Sequence, residues 1–194
     1  MQPPDIPGVV ALQRLCFPEP FPEEYLWRPE HLSSHLDKFP QGQFVAIAEG
    51  AVVASASMSR ISESLWQAHL SWEETLGGFS FDTFDPAGST LYAADISVHP
   101  DWRGRGLARE LYRLRFEACR SLGGARLGTA CRLPDFHHFQ GTHEDYARQV
   151  IAGELKDRTL TPLLRLGMVF QAILPDYMDD PESGDAAALL EWTP

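Results

Sequence analysis

The stretch Asp95-Ile96-Ser97-Val98-His99-Pro100-Asp101-Trp102-Arg103-Gly104-Arg105-Gly106-Leu107-Ala108 leaves the fold of this chain little choice. A strand over Leu91–Val98 must stop at Pro100, which has no N–H to give a sheet ladder. Leu107, Leu111, Leu114 and Ala118 then recur at helical spacing, and Gly123-Gly124 ends the helix, which we place over roughly 105–122. Strand, tight turn and helix follow with no room for anything else. Gly104 and Gly106 permit torsions and close approaches that a Cβ would block. The first N–H groups of a helix lack internal acceptors, so such a turn makes an anion site with the helix dipole behind it. Charge agrees: residues 103–120 hold six arginines (103, 105, 109, 113, 115 and 120) against Glu110 and Glu117.

That basic patch sits in a chain of net charge −11, which points to one specific anionic ligand and excludes a general nucleic-acid binder. The 194 residues suit a single domain over 1–194, with insertions at about 62–90 and 132–158. No apolar run is long enough for a membrane helix, and the start lacks the order of a signal peptide. Cys16, Cys119 and Cys131 are an odd, scattered set, expected as reduced thiols of a cytoplasmic protein. Asp5 can cap a first helix carrying Val9, Leu12 and Cys16, and a second runs between Pro29 and Pro40. Gln43–Glu49 and Ala51–Arg60 read as a hairpin turned at Glu49-Gly50. Ala125–Cys131, Met168–Leu174 and Ala186–Trp192 are further strands, with helices after Thr142 and near 159–166. Strands and helices interleave, which predicts an α/β or α+β fold with a mixed sheet. Residues 61–102 carry seven acidic side chains and neither Lys nor Arg, a field that would attract a cationic amine or simply be a solvated loop.

The anion has to be chosen by motif. A dinucleotide fingerprint and a Walker loop are both absent. Arg103-Gly104-Arg105-Gly106-Leu107-Ala108 fits Arg/Gln-x-x-Gly-x-Gly/Ala, and it resembles the pyrophosphate loop of the GNAT acyl-CoA N-acyltransferases. Val98-x-Pro100 before it, Arg109-x-Leu111-Tyr112 after it, and Leu163–Met168 leading into a late strand extend the resemblance over about residues 5–192. Trp72-Glu73-Glu74, Asp85–Gly88, Cys131–Pro134 and Pro175–Gly184 look like the GNAT domains that sometimes accompany carbon–nitrogen hydrolases. The resemblance implies a mixed, mostly antiparallel sheet of about six strands, splayed between 91–98 and 125–131, with flanking helices. It also implies acetyl-CoA (coenzyme A) as the acyl donor and direct attack by a small-molecule or peptide amine.

On that footing Arg103, Gly104, Arg105, Gly106, Leu107 and Ala108 hold the pyrophosphate. Ile96, Ser97 and Val98 hold the pantetheine, and the Val98 N–H polarises the thioester carbonyl. Proton handling departs from the family. Tyr92 stands where many relatives have a Glu, and Leu163 where many have a Tyr. Asp95 is the leading substitute, with Tyr92 kept as a catalytic candidate and His99, His137, His138 and Tyr146 behind it. No metal, nucleic acid or membrane is expected to take part. A protein of this fold without turnover, sensing acyl-CoA, is the alternative that these departures leave open; an unrelated nucleotide-binding α/β protein is a third. The family's usual first strand is not evident ahead of Asp5, so the following strand would be a bare edge, and a homodimer is the expected cover.

Overall fold

The structure is a computed structural model that describes residues 1–19 and 21–194. Its helices are α1 (Ile6–Cys16), α2 (Pro29–Lys38), α3 (Glu63–Gln67), α4 (Trp72–Leu76), α5 (Leu107–Ser121), α6 (His143–Ala152) and α7 (Leu160–Arg165). Its strands are β1 (Gln43–Ala48), β2 (Ala51–Ile61), β3 (Thr90–Val98), β4 (Arg126–Arg132), β5 (Val169–Leu174) and β6 (Ala187–Trp192). They form one sheet in the order β1-β2-β3-β4-β6-β5, antiparallel throughout except for the parallel pair β3–β4.

Two apolar layers cover the sheet. One packs α5, α6 and α7 against Met58, Leu91, Ala93, Leu127 and Leu190. The other packs α1 to α4 against Ile61, Tyr92, Ala187 and Leu189, with Trp27, Trp66, Trp72 and Phe81 filling it. The 62–90 segment is thus a wall of the second layer. His35, stacked on Phe81 at 3.6 Å, donates Nε2–H to the Phe79 carbonyl at 2.7 Å, and Lys38 reaches Ser80 O and Asp82. Burial holds His35 neutral, its pKa lowered to about 4.

Local capping explains the later elements. Thr142 Oγ1 accepts from Asp145 N at 3.1 Å and starts α6. Buried Asp157 takes the N–H groups of Thr159 and Leu160, each at 2.7 Å, ahead of α7. Its second oxygen accepts the Tyr146 hydroxyl at 2.8 Å. Residues 3–5 form a 3-10 turn, so β1 is an edge strand, with Ile47 57% exposed. The Met1 ammonium donates to Gln43 O at 2.9 Å. No helix among the described residues is long and apolar enough to cross a membrane.

Candidate functional site

Two features of β3 build the site. The first is where pairing stops. β3 and β4 are matched only at Thr90–Arg126, Leu91–Leu127 and Tyr92–Gly128, and beyond that they part from each other while β3 stays paired with β2 and β4 with β6. The second is a register shift on the β2 side between Ser57 and Met58, which leaves Ala94 without a partner. Tyr92 and Ala94 face the α1–α4 layer, whereas Ile96 and Val98 pack toward α5 and its Leu111. Strict alternation would have placed all four on one face. The bulge re-phases the strand and turns Asp95 toward α1, beside Gln13 and Trp27.

At the far end of β3, His99 N donates to Val53 O at 2.9 Å. Antiparallel alternation then turns the main-chain groups of Ile96 and Val98 away from β2, toward the gap. The Val98 carbonyl there accepts from Cys16 Sγ at 3.3 Å and Arg103 Nε at 3.2 Å. His99 Nδ1 caps Asp101 N, and the chain passes Gly104 (φ +75°) and Gly106 (φ +84°) into α5. Both glycines lie in the left-handed region, where an L side chain is strained. The N–H groups of Gly106, Leu107, Ala108 and Arg109 have no acceptor within the described protein, and the first helical bond is Glu110 N to Gly106 O. These four amides, with Arg103, Arg105 and Arg109 around them, fit a diphosphate through hydrogen bonds and charge. Arg105 is held over the Trp102 ring at 4.6 Å.

The basic patch is smaller than its arginine count implied. Arg113 is bound by Glu110 and Glu117 on the outer face of α5, and Arg120 lies over Trp192. Arg115, at 0% exposure, belongs to the buried stripe with Leu111 and Ala118. Its guanidinium donates to the Ser57 and Asp95 carbonyls across the bulge, while its Nε has no partner.

A cavity of about 190 Å³ passes through the gap. Gln13, Phe17, Trp27 and Trp72 line it from one layer, and Tyr112, Arg115 and Leu163 from the other. Asp95 and Ile96 supply one strand edge, and Thr129 to Arg132 the other. Thr129 Oγ1 bridges the strands by donating to Ala93 O at 3.0 Å. Asp95 Oδ2 is buried with no hydrogen-bond partner, as are the Trp27 Nε1–H and the Ser97 hydroxyl nearby. Desolvation pushes the carboxyl up to about 6, against the pull of Arg115, Trp27, Gln13 and Ser97. A carboxyl that ionises near neutrality in a cavity is suited to accept a proton.

The other candidates lie elsewhere. Tyr92 is beneath the cavity wall, its hydroxyl 2.5 Å from that of Tyr177, which does line the cavity. Val98 stands at the mouth, beside the α5 N-terminus, and not in the lining. His99 caps its turn, the rings of His137 and His138 pack together at 3.7 Å, and Tyr146 serves Asp157. Cys131 lines the cavity, but burial raises its pKa and keeps it a thiol. All three cysteines are free. Sequence reasoning missed Arg115, Tyr177, Trp27 and Trp72 as site residues. Only Arg115 carried a signal, an arginine at i+4 from Leu111 within an apolar stripe.

A glycine-rich amide loop on a helix N-terminus, above a sheet parted beside it, defines the acyl-CoA-dependent acyltransferases as a class. The family model described as the acetyltransferase (GNAT) family matches residues 6–141, and the chain belongs to that family, whose acyl donor is acetyl-CoA. It is 31% identical over 192 residues to the uncharacterized N-acetyltransferase YkwB of Bacillus subtilis, covering 97% of this chain and 84% of that protein. It is also 31% identical over 191 residues to the B. subtilis protein named probable hydrolase YhcX, covering 97% of this chain but 36% of that protein's length. Among solved structures, the GphF GNAT-like decarboxylase in complex with isobutyryl-CoA superposes with a TM-score of 0.82 at 21% identity, over 100% of this chain and 96% of that one.

Proposed function

We propose that this chain moves an acyl group from acyl-CoA to the nitrogen of an amine, with Asp95 as the base. The reading is carried by the Asp95 carboxyl, whose unpartnered Oδ2 is buried at the gap in the sheet. The amides of Gly106 to Arg109 and the side chains of Arg103 and Arg105 hold the diphosphate. The outward main-chain groups of Ile96 and Val98 align the pantetheine arm, and the Val98 N–H polarises the thioester carbonyl as a fixed donor. The bound donor supplies an activated acyl group. Asp95 accepts the proton that the amine loses as the new C–N bond forms; the C–S bond breaks and the thiolate takes a proton from solvent. Tyr92 acts at one remove, holding Tyr177 in the wall.

Calorimetric titration with acetyl-CoA and thiol release in the presence of amines test the reading. We expect tight binding, and amine-dependent release that rises with pH to a plateau above about 6. Asp95→Asn should leave binding intact and lower turnover by roughly a hundredfold. Binding without amine-dependent release would favour an acyl-CoA sensor. The likeness to GphF and the free Nε of buried Arg115 support a second reading, decarboxylation of an acyl-CoA whose acyl group carries a carboxylate. Carbon dioxide released from malonyl-CoA with no amine present would select it.

A further inference from the structure

We infer that the acceptor is a primary amine that carries a net positive charge in solution and an aromatic or apolar body, and that it enters opposite the cofactor. The inference rests on the amine-acyltransferase reading and deepens it. A second cavity of about 160 Å³ adjoins the first, and Tyr25, Trp72, Tyr177 and Met178 line both. Its other walls include Glu73, Asp176 and Asp179, all exposed. None of these three carboxylates makes an ion pair within the described protein. The backbone holds the two cavities together: Trp72 N donates to Tyr177 O at 3.0 Å, and Tyr177 N to Asp185 O at 2.7 Å.

The site is therefore charged with opposite signs on its two sides. Arg103, Arg105 and Arg109 stand at the cofactor mouth by the α5 N-terminus, outside the lining of both cavities. Three unpaired carboxylates surround the other, and Asp95 waits between them with a free, buried oxygen. Such a gradient draws a cation inward and repels an anion. The walls along the way include the rings of Tyr25, Trp72, Phe21 and Trp27, which suit an aromatic or apolar body, with Arg132 over the Phe21 ring at 5.3 Å. Two arginines also line the inner cavity. Arg132 is held by Asp180 through two bonds of 2.6 Å and by Glu182, and the charge of Arg115 is set against the Asp95 carboxyl while its terminal nitrogen donates to two main-chain carbonyls. Asp95 takes the first proton from the ammonium and passes it to solvent; the neutral amine then attacks, and Asp95, ionised again, accepts the second proton as the C–N bond forms.

The test pairs amines that differ only in a carboxylate: tyramine against tyrosine, and phenethylamine against phenylalanine, each with saturating acetyl-CoA. We expect kcat/KM for each amine to exceed that of its amino acid by at least about tenfold, as one added negative charge meets three others. The amine's kcat/KM should fall several-fold between about 20 mM and about 500 mM salt. The triple variant Glu73→Gln, Asp176→Asn, Asp179→Asn should raise KM for tyramine roughly tenfold, with kcat and acetyl-CoA affinity unchanged. Equal use of amine and amino acid, or a triple variant with unaltered KM, overturns the inference; equal use would point to the free Nε of Arg115 as a carboxylate partner. Cofactor binding with no turnover of either amine overturns it and leaves the diphosphate loop standing. Failure to bind acetyl-CoA removes the acyltransferase reading and this inference together.

Discussion

The glycine-rich loop proposed for the diphosphate and the cavity below it lie at one end of β3, yet they are built in opposite ways. The loop is a run of neighbours: Arg103 to Arg109 supply its amides, its glycine torsions and its charge, and all of them meet water. The cavity is drawn from α1, the 62–90 wall, β3, α5, β4 and the loop after β5, and its polar atoms are buried. A main-chain site tolerates most side chains but no Cβ in the wrong place. A buried side-chain site tolerates sequence change nearly everywhere except at the few groups that titrate. The two regions should accordingly fail separately, binding in one and turnover in the other.

Gly106→Val tests the sharper half of that contrast and should have the largest effect. A branched side chain at φ +84° must rebuild the helix start. Acetyl-CoA affinity should fall by at least about a hundredfold, while the melting temperature drops by only a few degrees, since the position faces open space apart from Arg109. If binding survives, the loop is not the cofactor site. Asp95→Asn should be the mirror image, with turnover reduced by roughly a hundredfold and acetyl-CoA affinity unchanged. Its ionised form is disfavoured by burial, since the folded pKa of about 6 lies above the ordinary value of 3.8. Stability is therefore lost as pH rises through that window, and the neutral amide should melt higher than wild type at pH above about 7.

His35 extends the comparison to the wall. Its folded pKa of about 4 lies below the ordinary 6.5, so stability is present above 6.5 and is lost as pH falls toward 4. The loss should reach on the order of 3 kcal/mol, read as a falling melting temperature that His35→Gln flattens. Arg105→Ala is a smaller break: one charge-assisted contact is worth roughly 1–2 kcal/mol, or about tenfold in acetyl-CoA affinity by calorimetry. Least disruptive is dilution itself. If a second copy covers the β1 edge around exposed Ile47, sedimentation at micromolar concentration shows a dimer; a monomer removes that reading.

Much of the fold was legible because its cues are local. Pro29 marks a helix start, Glu49-Gly50 a hairpin and Asp157 a cap, and the structure places an element at each; α1 does begin after Asp5, but the Asp5 carboxylate accepts from Gln2 N at 2.7 Å and does not cap it. The splay between β3 and β4 came through family resemblance, and the register confirms it. Arg115 shows where local reading misleads. Counted with its neighbours it belonged to a basic patch; in the folded chain it faces inward, because helical spacing from Leu111 sets its direction. Tyr177 stood among loop residues, and only its 2.5 Å contact with Tyr92, 85 positions away, gives it a place in the wall.

The sequence by itself determined the glycine-rich turn into α5. Glycine torsions, helix-start amides and a proline stop are properties of consecutive residues, fixed by covalent geometry before any packing. The tertiary structure decided the rest. One unpaired residue at Ala94 shifts the phase of β3, turns Asp95 away from the α5 core, and sets it against groups from distant segments. Its surroundings raise its pKa, and no pattern along the chain encodes them, because desolvation depends on what packs around a group and not on what adjoins it.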